Sequence, residues 1–360
     1  MTSIKKIVVL AEGKFNMLAA KTAVGVIRYS PHDVVAVIDS TLAGKTVDQV
    51  LGFGGPIPIV SSVDEILSLT PDVLLIGIAP TGGRLPEQWR SIVNDAIDAK
   101  LEIWSGLHSF LSDDQEFREL AEQKGVRLWD VRRPRPDLEV GMGHALNAKS
   151  YIVLTVGSDC NVGKMTTALE LQKLANSKGF KAGFVATGQT GILIEGEGTP
   201  LDAIPGDFMT GEVERLVMQL DAEGCDVIFV EGQGSIVHPG FGPVTLGLML
   251  GSMPDAFVLC HQPSRTNFRP DYDIALPALP MVIKQYEQLM EYYKAPRVQA
   301  IALNTFDLSA EEAAERTRKI AAAMDLPVAD PIRDGVGALW NALEPLVAER
   351  REKNMAPAAR

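Results

Sequence analysis

The sequence predicts two α/β domains in tandem, and three observations carry that expectation. Short apolar β-type runs alternate with amphipathic helical stretches along most of the 360 residues. One of these runs, 151–156, leads through a glycine-bounded loop, Gly157 to Gly163, into a helical pattern opening at Lys164. Between the halves lies an Arg/Pro/Gly-rich stretch from Arg132 to His144, of the kind that links domains. Strands alternating with helices pair in parallel through right-handed crossovers. Residues 1–140 therefore read as a Rossmann-like parallel-sheet domain and 150–350 as a P-loop α/β domain.

In the first domain a strand at 7–10 precedes a helical pattern through Met17, Ala20, Val24 and Ile27. Strands follow at 33–38 and 57–60, then a helix over 62–69 with Ser62 and Glu65 as its capping box. Strands at 73–78, 101–104 and 126–131 are separated by helices over 86–100 and 109–124, the latter stopped by Gly125. The first βα turn holds Gly13 but no GxGxxG, and Asp39 fits turn chemistry better than ribose binding. Loop 79–84 is the ligand candidate of this domain, because Gly82 and Gly83 let a backbone approach closely.

The second domain reads as strand 151–156, helix 164–177, strand 180–186, helix 207–220 and strand 227–230. A short helix near 244–250, a strand at 257–260 and a long loop to Pro280 come next. Helix 281–293, strand 298–303 and helices 310–324 and 338–350 complete it, before a frayed tail from Glu352.

Composition narrows the function. A net charge of −12 argues against a nucleic-acid partner, which would need a basic surface. Cys160, Cys225 and Cys260 form no CxxC or Cys/His cluster, so neither a disulfide framework nor a zinc site is expected. Cys160 reads as a small loop residue rather than a nucleophile. No leader pattern or membrane-length apolar run is visible, and the chain reads as cytoplasmic.

The phosphate site is expected from Gly157, Asp159, Asn161, Val162, Gly163, Lys164, Met165 and Thr166. Backbone N–H groups and the positive end of a helix dipole converge there, and the lysine adds a point charge. Two departures stand out from G-x4-G-K-[ST]. Five residues separate Gly157 from Gly163, and Met165 replaces the hydroxyl that ligates Mg²⁺. Phosphate binding is expected, and no metal is required. Glu231, at the tip of a strand, suits either a Mg²⁺ ligand or a base. In the same loop His238 is a second candidate base, Gln233 is assigned to the cofactor and Ser235 to the substrate. Asp207 reads as a helix N-cap or as a base. Gln189 is expected beside the phosphate loop on the cofactor, and Thr190 on the substrate. Arg265 and Arg269, with Arg132 and Arg133 of the linker, suit carboxylates.

The five-residue gap and Glu231-Gly232-Gln233-Gly234 resemble the dethiobiotin synthetase-like branch of P-loop proteins. The whole chain resembles a bacterial and archaeal family formerly labelled NAD-dependent epimerase/dehydratase, whose characterised member is a D-glutamate N-acetyltransferase. The segments 72–83, 130–134, 157–167 and 231–235 with His238-Pro239 carry that resemblance across both domains. It implies acetyl-CoA as cosubstrate, D-glutamate as acceptor and N-acetyl-D-glutamate made for catabolism; from the residues, Glu231 or His238 would be the base of that transfer. Self-association is also expected. Two alternatives stay open from the residues alone: a Mg-ATP-dependent ligase or kinase acting on a carboxylic acid, and a non-catalytic nucleotide-responsive regulator.

Overall fold

The computed structural model describes residues 4–78, 82–269 and 272–355. In the N-terminal region β1 (Lys6–Leu10), α1 (Lys21–Tyr29), β2 (Asp33–Ile38), α2 (Val47–Leu51) and β3 (Ile59–Val60) come first. After them run β4 (Val73–Ile76), α3 (Arg90–Asp98), β5 (Glu102–Ser105), α4 (Gln115–Lys124) and β6 (Leu128–Asp130). The six strands pair in parallel in the order β3-β2-β1-β4-β5-β6, the doubly wound arrangement expected of a Rossmann-like domain. β4 is buried along its whole length, and every residue of it is Val, Leu or Ile, as a strand covered on both faces requires.

Several boundaries move for identifiable reasons. α4 starts at Gln115 rather than 109 because the Asp114 side chain accepts from Glu116 N and Phe117 N, and it ends at Gly125 with φ 68°. The helix expected over 62–69 is a 3₁₀ stretch, Asp64–Leu69; the Glu65 carboxylate turns back to Ser61 instead of capping an α-helix. α2 lies where the sequence pattern predicts no helix, and a Thr46/Gln49 capping box opens it. The Asp39 carboxylate accepts from Phe15 N at 3.0 Å and from Thr41 N at 3.0 Å, so turn chemistry occupies it fully. In loop 79–84, residues 79–81 lie outside the described residues; Gly82 and Gly83 have φ of 84° and 64°.

The rest of the chain forms β7 (Tyr151–Gly157), α5 (Lys164–Ser177), β8 (Ala182–Val185), α6 (Gln189–Glu195), α7 (Met209–Ala222) and β9 (Val227–Val230). α8 (Gly242–Ser252), β10 (Ala256–His261), α9 (Leu279–Met290), β11 (Arg297–Leu303), α10 (Ala310–Met324), β12 (Val328–Ala329) and α11 (Gly337–Met355) follow. Their strands also pair in parallel, in the order β12-β11-β10-β7-β9-β8. Beneath this sheet Trp340 is wholly buried, with Phe180 and Phe229 rings 5.3 and 6.4 Å away.

The compact units are Met1–Pro134 with Gly188–Ala203, and Arg135–Thr187 with Ile204–Arg360. This division corrects the boundaries 1–140 and 150–350 in one respect. α6, in a stretch where the sequence predicts a loop of the second domain, packs against α1 and belongs to the first unit. Its apolar Ile192, Leu193 and Ile194 are buried, which supplies the physical reason. Among the described residues no helix is long and apolar enough to cross a membrane.

Candidate functional site

β7 lies between β10 and β9, so the chain segments leaving these three strands share one edge of the second sheet. Ligands of open parallel sheets collect at that edge. The loop after β7 has positive φ at Asn161 (54°) and Gly163 (101°), the kind of alternation that forms an anion-binding nest. Among the described residues, the N–H groups of Asn161, Val162, Gly163, Lys164, Met165 and Thr166 find no protein acceptor. Six such donors at the head of a 14-residue helix make an anion site by elementary electrostatics.

Lys164 is buried, and its Nζ donates to Asp159 O at 2.8 Å. Burial pushes its pKa below the ordinary lysine value. A Cβ on Gly157 would sit 2.8 Å from Lys164 Nζ and 2.8 Å from Asp159 O, so a glycine is needed where the loop begins. Met165 and Thr166 are half-buried, and the Thr167 hydroxyl donates to Gly163 O.

Asp159 is fully buried and spends its carboxylate inside the protein. It accepts from Arg265 Nη1 at 2.6 Å, Arg269 N at 3.0 Å and Cys160 N at 2.7 Å. Arg265 also donates to Cys160 O and to Gln262 Oε1, each at 2.6 Å. Its guanidinium is therefore committed to bracing the phosphate loop. Arg269 is exposed, and among the described residues it makes no ion pair.

Glu231 follows β9, the strand beside β7, and its Oε2 accepts from Thr187 N at 2.9 Å. Gln233 Nε2 donates to Thr187 O, closing the same corner. Ser235 is buried 3.5 Å from the Tyr286 hydroxyl. That hydroxyl donates to Gly157 O at 2.8 Å and accepts from Ile236 N at 3.0 Å, tying the two loops together. Burial pushes the Tyr286 pKa up to about 12, so it stays a neutral donor.

His238 Nδ1 accepts from Gly240 N at 3.0 Å and Phe241 N at 3.1 Å, while Nε2 faces Arg269 O at 2.8 Å. These partners assign the proton to Nε2. Both nitrogens are then occupied, and as placed the ring offers no lone pair to a substrate. Asp207 is exposed in a 3₁₀ turn before α7 and does not cap that helix, whose N-cap is Phe208.

The remaining expected residues lie in the first unit. Gln189 and Thr190 open α6 and contact Thr22 Oγ1 at 3.4 and 3.3 Å. Arg132 Nε donates to Gly106 O at 2.8 Å and Gln189 Oε1 at 2.5 Å, and its Nη1 pairs with Asp202. Arg133 pairs with Asp113 at 2.6 Å and stacks on Phe110. Arg132 and Arg133 are thus spent on internal partners. Cys160, half-buried, has its thiol pKa raised by burial, which disfavours a thiolate nucleophile.

Sequence reasoning missed Ser158 and Tyr286. Ser158 Oγ lies 2.8 Å from His261 Nδ1, a pair 103 positions apart with no local signal. Burial pushes the His261 pKa down to about 4, so its ring is neutral at pH 7. The unfolded chain then binds the extra proton as pH falls below ~6.5, and the native state does not until about pH 4. Stability from this group is complete above pH 6.5 and is lost downward through that window. Between pH 6.5 and 4 the wild type should lose up to about 3 kcal/mol more than His261→Asn in urea titrations. Equal losses would show that His261 is already charged in the native protein.

Comparison with known proteins fits this geometry. Residues 139–340 match the DUF1611 C-terminal P-loop domain and residues 40–134 its N-terminal Rossmann-like domain, both described as domains of unknown function. A curated D-glutamate N-acetyltransferase from Tritonibacter scottomollicae is 38% identical over 91% of this chain and 95% of its own. A second protein of that name, from a Pseudoalteromonas species, is 36% identical over 77% of this chain and 83% of its own. The crystal structure of a DUF1611 family protein from Anabaena variabilis superposes with a TM-score of 0.90 and 37% identity, covering 95% of this chain and 99% of that one. With both domains matched and relatives aligned over most of their length, the chain belongs to the DUF1611 family, the same family as these two D-glutamate N-acetyltransferases.

Proposed function

We propose that this protein transfers the acetyl group of acetyl-CoA to the amine of D-glutamate. The observation that carries the reading is the set of six unpartnered N–H groups with Lys164 at the head of α5, in a chain whose relatives bear that name. CoA brings a diphosphate and a 3′-phosphate, either of which suits this cradle. Met165, where a metal-binding hydroxyl usually stands, fits a reaction that needs no divalent cation. In the reaction the neutral amine attacks the thioester carbon, a C–N bond forms, the C–S bond breaks, and the second nitrogen proton passes to the departing sulfur so that CoA leaves as the free thiol. The substrate ammonium must first lose a proton, and Glu231 is the base we assign, since both His238 nitrogens are engaged.

The direct test is thiol release from acetyl-CoA that depends on D-glutamate and is insensitive to EDTA. Mg²⁺-dependent ADP release from ATP with no thiol release would replace this reading with a ligase or kinase. Binding of CoA or ATP without turnover would leave a regulator. Lys164→Met keeps the stem of the side chain and removes its charge. The affinity for CoA should fall by about 10- to 100-fold, the value of a charge-assisted contact, with the fold intact. An unchanged calorimetric Kd for CoA would remove Lys164 from the phosphate site.

A further inference from the structure

Arg269 differs from every other arginine expected to bind substrate. Arg265, Arg132 and Arg133 each hold an internal carboxylate, whereas Arg269 pairs with none among the described residues. Its main chain is tied on both sides. The N–H donates to buried Asp159 at 3.0 Å, and the carbonyl accepts from His238 Nε2 at 2.8 Å. His238 is itself locked by two backbone donors on Nδ1 and by the rings of Phe241, Phe268 and Tyr272, at 4.8, 5.2 and 5.0 Å. A flexible guanidinium is thus mounted on a fixed backbone.

A cavity of about 220 Å³ opens beside it, lined by Ser264, Thr266, Asn267, Phe268 and Tyr272 with both arginines. It falls below the ~300–1,000 Å³ usual for drug-sized ligands and suits a small amino acid. A guanidinium fork matches a carboxylate in geometry and charge. Displacing such a contact by an ångström is costly to catalysis, which is what a two-sided clamp prevents.

We infer that Arg269 receives a carboxylate of the acceptor, and that His238 and Asp159 are the positioning residues that aim it. The inference rests on the acetyl-transfer reading and gives His238 a role other than base. Asp159 also joins this clamp to the phosphate loop, so general loosening of the site would disturb CoA and acceptor together.

The test is calorimetric titration of D-glutamate into the full-length protein saturated with CoA, with separate CoA titrations. Arg269→Ala should weaken D-glutamate binding by about 10- to 100-fold and leave CoA affinity unchanged. His238→Ala should weaken D-glutamate alone by about tenfold, while His238→Gln, whose amide still donates to Arg269 O, should recover most of it. Wild-type affinity in Arg269→Ala overturns the inference, as does His238→Ala weakening both ligands equally. A wild-type protein that binds CoA yet neither binds nor acetylates D-glutamate overturns the acetyl-transfer reading itself.

Discussion

Glu231→Gln is expected to lower kcat by about 10²- to 10⁴-fold while the affinities for CoA and D-glutamate stay nearly the same. The substitution is chosen because glutamine keeps the shape and an amide oxygen. The bond from Thr187 N, 2.9 Å in the native protein, can therefore persist, and with it the corner closed by Gln233. The capacity to take a proton disappears. The loss should appear in single-turnover rates as well as in the steady state, and raising the pH should not restore it. Unchanged kcat, or a rise in KM alone, would exclude Glu231 as base and return attention to the other acids of this unit.

Gly232→Ala should be the most damaging small substitution in the second unit. A Cβ there would lie 1.7 Å from Thr155 O and 2.9 Å from Lys164 Cδ. The first of these atoms is backbone in the central strand β7 and cannot step aside. Gly232 N also donates to Thr155 Oγ1 at 3.0 Å, which fixes the glycine against that strand. Destabilisation of about 3 kcal/mol is expected, at the upper end for overpacking, together with loss of CoA binding. Gly206→Ala is the control, since nothing lies within 4 Å of its Cβ. Urea midpoints of the two variants should differ clearly; coincident midpoints would mean that β7 and the Glu231 loop can separate at little cost.

The layout of both domains was legible because parallel strands buried on two faces must be continuously apolar, and because glycine and proline mark the turns between them. β2, β9, α5 and α10 match the expected spans residue for residue. The phosphate loop was legible because its chemistry is local: glycine, lysine and helix start are neighbours in sequence. What surrounds that loop was not legible. Asp159 meets Arg265 across 106 positions, and Gly157 meets Tyr286 across 129. No periodicity records such pairings, which are set by the order of strands in the sheet. Arginines and a histidine in loops read as ligand-binding groups from sequence because internal partners cannot be seen there. The structure brings Arg265 and the main chain of Arg269 to the phosphate loop, but the Arg265 side chain braces that loop and His238 holds the Arg269 carbonyl.

α6 carries a consequence for how the chain is made and inherited. Synthesis delivers the first unit's strands by residue 130, yet its last helix arrives only after β7, α5 and β8 have been translated. A fragment ending at Pro134 would leave the flank of α1 bare and strip Thr22 of the Gln189 and Thr190 side chains. Removing Gly188–Ala203 from the other half would cut the polypeptide between β8 and β9. Recombination at the linker therefore cannot exchange one domain without injuring its neighbour, and the two are expected to travel through evolution as a single block.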